Sequence, residues 1–205
     1  MGYQGERADT AARQFQGARN CKEGEGGYHG DREEGTMHHY TGIGARATPQ
    51  AILDLMRQTA EALAAKGYTL RSGHAHGADS AFEAGAAGQS EIYLPSAGWR
   101  NSTSDLHPGG TLAQTWAAAE AIAARHHPAW PRLKPFVRAL HTRNVYQVMG
   151  RDLQTPSRFL ICWTADGEAT GGTGQAIRIA ETAGIAVINL QRENHRAHVR
   201  QQLAL

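Results

Sequence analysis

The stretch HHYTGIGARATPQ, residues 38–50, decides the fold because it joins a strand, a turn and a helix start. HHYTGIG is typical of a short strand that runs into a turn. That turn carries two glycines and an arginine, Gly42, Gly44 and Arg46. Thr48 is a good N-cap, and Pro49 suits the first helical position. Glycine lets a ligand approach the backbone and a helix N-terminus favours phosphate, so the stretch predicts an anion-compatible strand–turn–helix unit.

The rest of the chain repeats this alternation of strand and helix. Four further strands are predicted, YTLRSG, EIYLP, SRFLICWT and IAVINL. Helices are predicted after Pro49 and in GADSAFEAGAAG, TLAQTWAAAEAIAARHH, PFVRALHTRNVYQVMGRDL, GGTGQAIRIAETAG and NHRAHVRQQLAL. Crossovers of helical length predict an α/β fold, a Rossmann-like open, mainly parallel sheet with helices on both faces. Ligands bind such sheets at the carboxyl ends of the strands.

Residues 1–36 differ from the rest of the chain in composition. They hold seven acidic and five basic residues and show no hydrophobic periodicity. We expect a polar, flexible N-terminal extension here, followed by one Rossmann-like domain over residues 37–205. A short helix at 8–16 that docks on the domain is the alternative.

Composition sets limits on the class of protein. The 205 residues carry a formal net charge of +2, so no strong overall field draws the chain to nucleic acid, and a local basic patch stays open. No apolar run approaches a membrane span and no signal peptide is evident, which predicts a cytoplasmic protein without a membrane partner. Cys21 and Cys162 lack metal-ligand spacing, and no metal site is predicted; Cys162, in an apolar run, is expected to be a buried thiol.

Three strand-to-helix turns share the same chemistry. The first holds Gly42, Gly44, Arg46 and Thr48; the second Ser72, Gly73, His76, Gly77 and Asp79; the third Gly171, Gly172, Thr173 and Gly174. Each turn alone is explained more readily by backbone geometry than by a ligand. Three at one sheet edge favour a phosphate-containing ligand, held by amides, hydroxyls and a guanidinium. None matches a P-loop or a full GxGxxG motif. The three turns alone make a bound nucleotide the one candidate cofactor.

The motifs GIGARATP, SGHAHGAD, TRN and GGTGQAIRIA, in this order, resemble the DprA/Smf proteins. More broadly they resemble the SLOG superfamily, which groups DprA/Smf with the LOG nucleotide hydrolases. The resemblance covers roughly residues 38–190 and is greatest to short, single-domain DprA-like proteins of phages and prophages. It implies a Rossmann-like fold that binds nucleotide or nucleic-acid phosphates. A homodimer and a recombinase partner are implied by the resemblance alone.

The resemblance carries over residue by residue, with departures. Gly44 and Arg46 fall on the G-x-R turn of the family, and Ser72, Gly73, Gly77 and Asp79 fall on its second motif. His76 replaces the usual basic residue, which puts strong, pH-independent DNA binding in doubt. Arg143 and Asn144 fall on the RN pair. The winged-helix domain of many DprA proteins is not expected. Gln175 and Ala176 stand where LOG hydrolases carry a glutamate, which argues against their N-glycosidic cleavage.

These observations lead to one main functional hypothesis and two rivals. The main hypothesis is a binding protein for single-stranded DNA, of the DprA recombination-mediator type, or for a nucleotide. The rivals are a nucleotide-processing hydrolase or transferase, and a nucleotide sensor or sponge in phage–host conflict. DNA binding needs a basic track, to which Arg46, Arg100 and Arg143 are the candidates. Hydrolysis needs a poised acid or base, for which the candidates are Asp79, Asp166 and Glu168.

Several side chains permit a structural interpretation as well as a functional one. Arg46 is a phosphate ligand, a helix cap or a partner of Asp79. Trp99, beside Arg100, is either a platform for a base or an anchor for its loop. Trp163 either stacks on a base at the sheet edge or packs beneath the next helix.

Overall fold

The computed structural model of the protein describes residues 38–205. The predicted extension over residues 1–36, the alternative helix at 8–16 and Cys21 lie outside the described residues. None of the helices within 38–205 is long and apolar enough to cross a membrane.

Five parallel strands form the sheet, which confirms the predicted fold class. They are β1 His38–Gly42, β2 Tyr68–Ser72, β3 Ser90–Ile92, β4 Phe159–Cys162 and β5 Ala186–Asn189. Their order across the sheet is β3-β2-β1-β4-β5. The chain therefore adds β2 and then β3 on one side of β1, and afterwards β4 and then β5 on the other side. The order reverses between β1 and β4, and this is the position at which open α/β sheets bind ligands.

Within residues 38–205, six α-helices cover the two faces. They are α1 Gln50–Ala65, α2 Ala78–Gly85, α3 Trp116–Arg125, α4 Pro135–Met149, α5 Gly171–Thr182 and α6 Glu193–Leu203. One core packs α1, α2 and α6 against the sheet through residues such as Met56, Phe82 and Leu203. A second core packs α3, α4 and α5 against the opposite face through Ala123, Val145 and Ile177. Helices therefore lie on both faces, as predicted.

Side-chain alternation along β4 supplies both cores. Phe159 and Ile161 belong to the first core, whereas Leu160 and Cys162 belong to the second. Phe159 stacks on Tyr40 of β1 with ring centroids 5.8 Å apart. The Cys162 side chain is fully buried, as predicted, and burial raises the pKa of its thiol. An apolar run buried on both faces is what a central parallel strand requires.

Some predicted boundaries are wrong, and local hydrogen bonds explain two of them. The predicted helix over 111–127 begins only at Trp116, because Thr111 donates its amide and hydroxyl to the Asp105 carboxylate in a preceding turn. Thr48 is not the N-cap of α1, a position that Pro49 holds. The Thr48 hydroxyl instead donates to the Ala45 carbonyl at 2.7 Å.

A buried ionic cluster around Glu91 joins the strands on one side of the sheet. Glu91 accepts hydrogen bonds from Arg71 Nε at 2.8 Å, Tyr93 Oη at 2.7 Å and Arg151 Nη2 at 2.8 Å. Arg71 also donates to the Thr155 carbonyl at 2.6 Å. Arg71 and Glu91 are register partners on β2 and β3, so the cluster ties this pair of strands to the loop after α4.

The environment of Glu91 controls its ionisation. Burial alone would raise the pKa of its carboxyl. Hydrogen bonds from Tyr93 and Arg71, the Arg71 charge and the bond from Arg151 outweigh that effect and lower the pKa of Glu91 to about 2. Because the folded-state pKa lies below the ordinary value of 4.5, Glu91 stabilises the fold at neutral pH, and this contribution is lost as pH falls from about 5 towards 2.

The Glu91→Gln variant tests this dependence. At pH 7 we expect the free energy of unfolding to fall by about 3–5 kcal/mol, because the buried Arg71 guanidinium loses its counter-charge. The gap between wild type and variant should narrow by about 2 kcal/mol between pH 6 and pH 3. Urea denaturation at a series of pH values measures this difference in unfolding free energy. The exposed Glu61→Gln variant is the control, and a gap that stays constant with pH would contradict this assignment.

Candidate functional site

The three glycine turns meet at the carboxyl edge of the sheet. The backbone of Gly77, in the second turn, packs on the backbone of Ala45 and Arg46 in the first. The Ala45 amide donates to the Trp163 carbonyl at the end of β4, at 3.2 Å. On α4, Asn144 donates from Nδ2 to the Gly172 carbonyl in the third turn, at 3.2 Å. The turns therefore form one continuous surface on either side of the switch point.

Four of the site glycines are required by packing. At Gly77 φ is +84°, and a Cβ atom would lie 2.8 Å from the carbonyl oxygens of both Ala45 and Arg46. At Gly44 a Cβ atom would lie 2.6 Å from the Ala78 Cβ. A Cβ atom at Gly42 would lie 2.7 Å from Phe82 Cγ, and one at Gly174 would lie 2.2 Å from the Ala169 carbonyl oxygen. Close approach of elements explains these four residues without a ligand.

The start of α5 is open. Gly171 has a φ of +62°, which favours glycine, but a Cβ atom there or at Gly172 would meet nothing within 4 Å. Gly172 therefore has neither a packing nor a conformational need to be glycine. Thr170, the N-cap, donates its hydroxyl to Asp166 Oδ1 at 2.9 Å instead of capping the helix. Within residues 38–205 the amides of Gly171, Gly172 and Thr173 have no acceptor, so this helix end offers free donors.

Arg143 and Asp79 form a buried ion pair at the centre of the edge. Arg143 Nη1 donates to Asp79 Oδ2 at 3.3 Å, and the Ala75 amide lies 3.3 Å from the same oxygen. The two residues are 6% and 3% exposed. The guanidinium covers Gly73 so closely that a Cβ atom there would lie 1.1 Å from Nη1. Arg143 therefore holds α4 against the second turn and is not available as an exposed phosphate ligand.

Burial acts on the ionisation of both partners. It raises the pKa of the Asp79 carboxyl, and the Arg143 guanidinium and the Ala75 amide oppose that rise. Burial also lowers the pKa of Arg143, and the charge of Asp79 opposes the change. Each group needs the other to stay charged, so the pair acts as one structural unit.

Two of the hydroxyl side chains predicted at the site, those of Ser72 and Thr48, are engaged in the turns themselves. Ser72 is fully buried, and its Oγ donates to the Gly42 carbonyl at 2.8 Å. The buried Thr48 hydroxyl closes the first turn on Ala45. Both hydrogen bonds fix the backbone of neighbouring turns. Ser72 and Thr48 thus shape the edge, and a direct contact from either hydroxyl to a ligand would require breaking these bonds.

The exposed cations at the edge are fewer than the sequence suggested. Arg46 is exposed, and its guanidinium has no hydrogen-bond or ion-pair partner among residues 38–205. Its alternative role as the partner of Asp79 is wrong, because Arg143 fills that position. His76 is exposed and contacts the Arg100 guanidinium. Of the predicted basic track of Arg46, Arg100 and Arg143, only Arg46 is exposed, Arg100 is half-buried beside His76, and Arg143 is buried.

Three polar side chains that are not among the predicted site residues support the site. Glu83 accepts from the His74 amide at 2.8 Å and lies 2.7 Å from His74 Nδ1, which fixes the second turn. Gln175 Oε1 accepts from Asn144 Nδ2 at 3.2 Å, and its amide donates to the Ala123 carbonyl. The side-chain amide of Gln147 lies beside Gly73. Gln147 follows Arg143 by one helical turn and Gln175 stands in the third-turn motif, whereas the sequence did not single out Glu83.

The acids at the edge already have partners. Glu168 pairs with Arg192 at 3.1 Å. Asp166 accepts from the Glu168 amide and the Thr170 hydroxyl, and these hydrogen bonds lower the pKa of its carboxyl. Asp79 is buried against Arg143. No group of three or more His, Cys, Asp or Glu side chains within 38–205 is placed to hold a metal ion.

One open cavity, of about 390 Å³, lies at the far end of α5. It is lined by Arg125, His126, Pro128, Arg178, Glu181 and Thr182. None of the predicted site residues lines it. The candidate site is instead a surface, at which Arg46, His76 and the two glycines that begin α5 are exposed.

Comparisons of the chain with models of protein families, with curated proteins and with solved structures found no match. The class that the fold defines is an open α/β, Rossmann-like protein.

The central ion pair has a measurable consequence for stability. Asp79→Asn should lower the free energy of unfolding by about 3–5 kcal/mol, because it leaves the Arg143 guanidinium buried without a counter-charge. Asp54→Asn, which changes an exposed carboxylate on α1, should have an effect within about 0.5 kcal/mol. Urea denaturation at pH 7 compares them. Equal, small effects of both substitutions would show that the pair does not hold the edge together.

Proposed function

We propose that the protein binds the phosphates of single-stranded nucleic acid, or of a nucleotide, at the carboxyl edge of its sheet. The proposed role is that of a DprA-like single-stranded DNA-binding protein of the recombination-mediator type. The observation that carries the proposal is the open start of α5, where Gly172 has no structural need to be glycine and three amides have no acceptor within residues 38–205. Unpaired amides at a helix N-terminus favour phosphate.

The exposed Arg46 supports a second phosphate contact. The first turn is hydrogen-bonded to the end of β4 through Ala45, so Arg46 lies in the turn beside the strand that leads to α5. A guanidinium without an acidic partner is suited to a charge-assisted bond with phosphate. Two separated phosphate contacts along an exposed edge suit an extended chain of nucleotides.

The rival enzymatic function has weaker support. A hydrolase of the LOG type needs an acid or base free to act on its ligand. Asp79 is committed to Arg143, Glu168 to Arg192 and Asp166 to its own loop. Gln175, at the position of the LOG glutamate, is fully buried and bonded to Ala123 and Asn144. A nucleotide sensor or sponge would use the same donors as a DNA-binding protein, so ligand size separates the two.

The resemblance to DprA proteins adds two partners to the proposal, a second copy of the chain and a recombinase. Sedimentation of the protein, alone and with single-stranded DNA, tests for the first partner. A recombinase loading assay on that DNA tests for the second.

Substitution of Arg46 tests the electrostatic part of the proposal. Fluorescence anisotropy with a labelled oligo-dT strand should show binding that weakens with salt. Arg46→Ala should weaken binding about fivefold or more and reduce the slope of log affinity against log salt by about one. Arg158→Ala is the matched control, because it removes an exposed arginine just before the start of β4, at the opposite edge. Equal effects of both substitutions, or no strand binding combined with thermal stabilisation by one small nucleotide, would reject the DNA-binding function.

Substitution of Gly172 tests the helix terminus directly. Gly172→Ala has space for its methyl group, so the free energy of unfolding should stay the same or rise by about 0.4–1 kcal/mol. Oligo-dT affinity should nevertheless fall, because the methyl group obstructs approach of a phosphate to the amides. Gly109→Ala, at another exposed glycine, should leave affinity unchanged. Undiminished affinity in a stable Gly172→Ala protein would exclude the start of α5 as the phosphate site.

A further inference from the structure

Trp99 differs from the other tryptophans of the described chain in having no place in a core. Trp163 is buried in the first core, and its Nε1 donates to Gln191 at 2.9 Å. Trp163 therefore packs in a core, although on the face of the sheet opposite the next helix, α5, whose residues belong to the second core. Trp116 and Trp130 pack against the second core. Trp99 is half-buried and belongs to neither core, and its indole N–H has no acceptor within residues 38–205. Anchoring of the loop in the core therefore does not account for this side chain.

Two guanidinium groups lie near the Trp99 ring. The Cζ atom of Arg100 is 5.6 Å from the ring centroid, and that of Arg143 is 5.7 Å away. Arg143 is the residue that covers Gly73 and pairs with Asp79. Arg100 also contacts His76. The indole therefore lies directly beside the second turn, within the same surface as the proposed phosphate contacts.

The backbone around Trp99 is held in an unfavourable conformation. Gly98, Arg100 and Asn101 have φ values of +63°, +56° and +64°. Glycine and asparagine adopt the left-handed conformation readily, whereas at Arg100 it costs about 1–2 kcal/mol. Burial of Trp99 in a core does not repay this cost. Strained segments of this kind are concentrated at sites that hold a side chain ready for a ligand.

We propose that Trp99 is a stacking platform for a nucleobase whose phosphate is held by the neighbouring turns. This inference rests on the proposed phosphate-binding function and extends it to the chemistry of the ligand, a base attached to a phosphate. An indole ring flanked by arginines is suited to stacking a base of any sequence, with a cation–π contribution from the arginines. The source of the base is a single strand or a free nucleotide, and the experiment separates the two.

The structural alternative is that Trp99 only shields the ion pair beneath it. Shielding depends on the bulk of the indole and would stabilise the fold whatever the ligand. Stacking requires a base on the ligand. A strand with phosphates and deoxyribose but no bases therefore distinguishes the two roles.

The experiment measures the affinity of the full chain for a dT 20-mer, for an abasic strand of the same length and for thymidine monophosphate. Wild type should bind the dT strand more tightly than the abasic strand and show quenching of tryptophan fluorescence. Trp99→Ala should weaken dT binding about tenfold or more and leave abasic binding unchanged. Trp99→Phe should restore most of the dT affinity. Trp130→Ala is the matched control, because Trp130 is also half-buried and has Arg138 5.7 Å from its ring, and it should behave like wild type.

Each outcome decides the proposal. If Trp99→Ala no longer binds the dT strand more tightly than the abasic strand, the stacked base belongs to a strand. If Trp99→Ala loses affinity for thymidine monophosphate only, the stacked base belongs to a free nucleotide. Equal binding of dT and abasic strands by wild type overturns the stacking proposal and leaves phosphate binding in place. Equal weakening of both strands in Trp99→Ala overturns it in favour of shielding. Binding of none of the three ligands overturns both this inference and the proposed function.

Discussion

The buried ion pair between Arg143 and Asp79 is the interaction on which the carboxyl edge depends. The Arg143 guanidinium is removed from water, pairs with the Asp79 carboxylate and lies against Gly73. Its charge is compensated only in this one arrangement of α4 and the second turn. Asn144 follows Arg143 on the same helix and reaches the third turn at Gly172. One helical dipeptide therefore positions two of the three turns, and the backbone contact of Gly77 with Arg46 adds the first.

This arrangement separates residues that build the edge from residues that face solvent. Ser72, Thr48 and Asp79 complete hydrogen bonds inside the protein. Arg46 and the amides at the start of α5 do not, within residues 38–205. Because this edge exposes few cations, recognition of a phosphate there would depend on backbone amides as much as on charge. That balance suits a chain whose formal net charge is only +2.

The sequence predicted the architecture well because its signals are local. Apolar runs such as FLIC and glycine turns before helices mark strands and crossovers, and a parallel sheet follows from their alternation. The side-chain partners could not be predicted in the same way. Arg143 was assigned to a ligand because a motif does not reveal burial, and the pairing of Glu91 with Arg71 depends on strand register. Thr48 was assigned as an N-cap, and a single hydrogen bond to Ala45 moves the cap to Pro49.

The most direct test of phosphate binding at the carboxyl edge is a map of backbone amide protection, measured by hydrogen–deuterium exchange when a dT 20-mer is added to the full chain. Phosphate binding at this edge predicts new protection in two segments, residues 44–47 in the first turn and 171–174 at the start of α5, with no change at the cavity lined by Arg125 and Arg178. Protection confined to that cavity, or an exchange pattern that the strand does not alter, would contradict the claim that the carboxyl edge binds nucleic-acid phosphates.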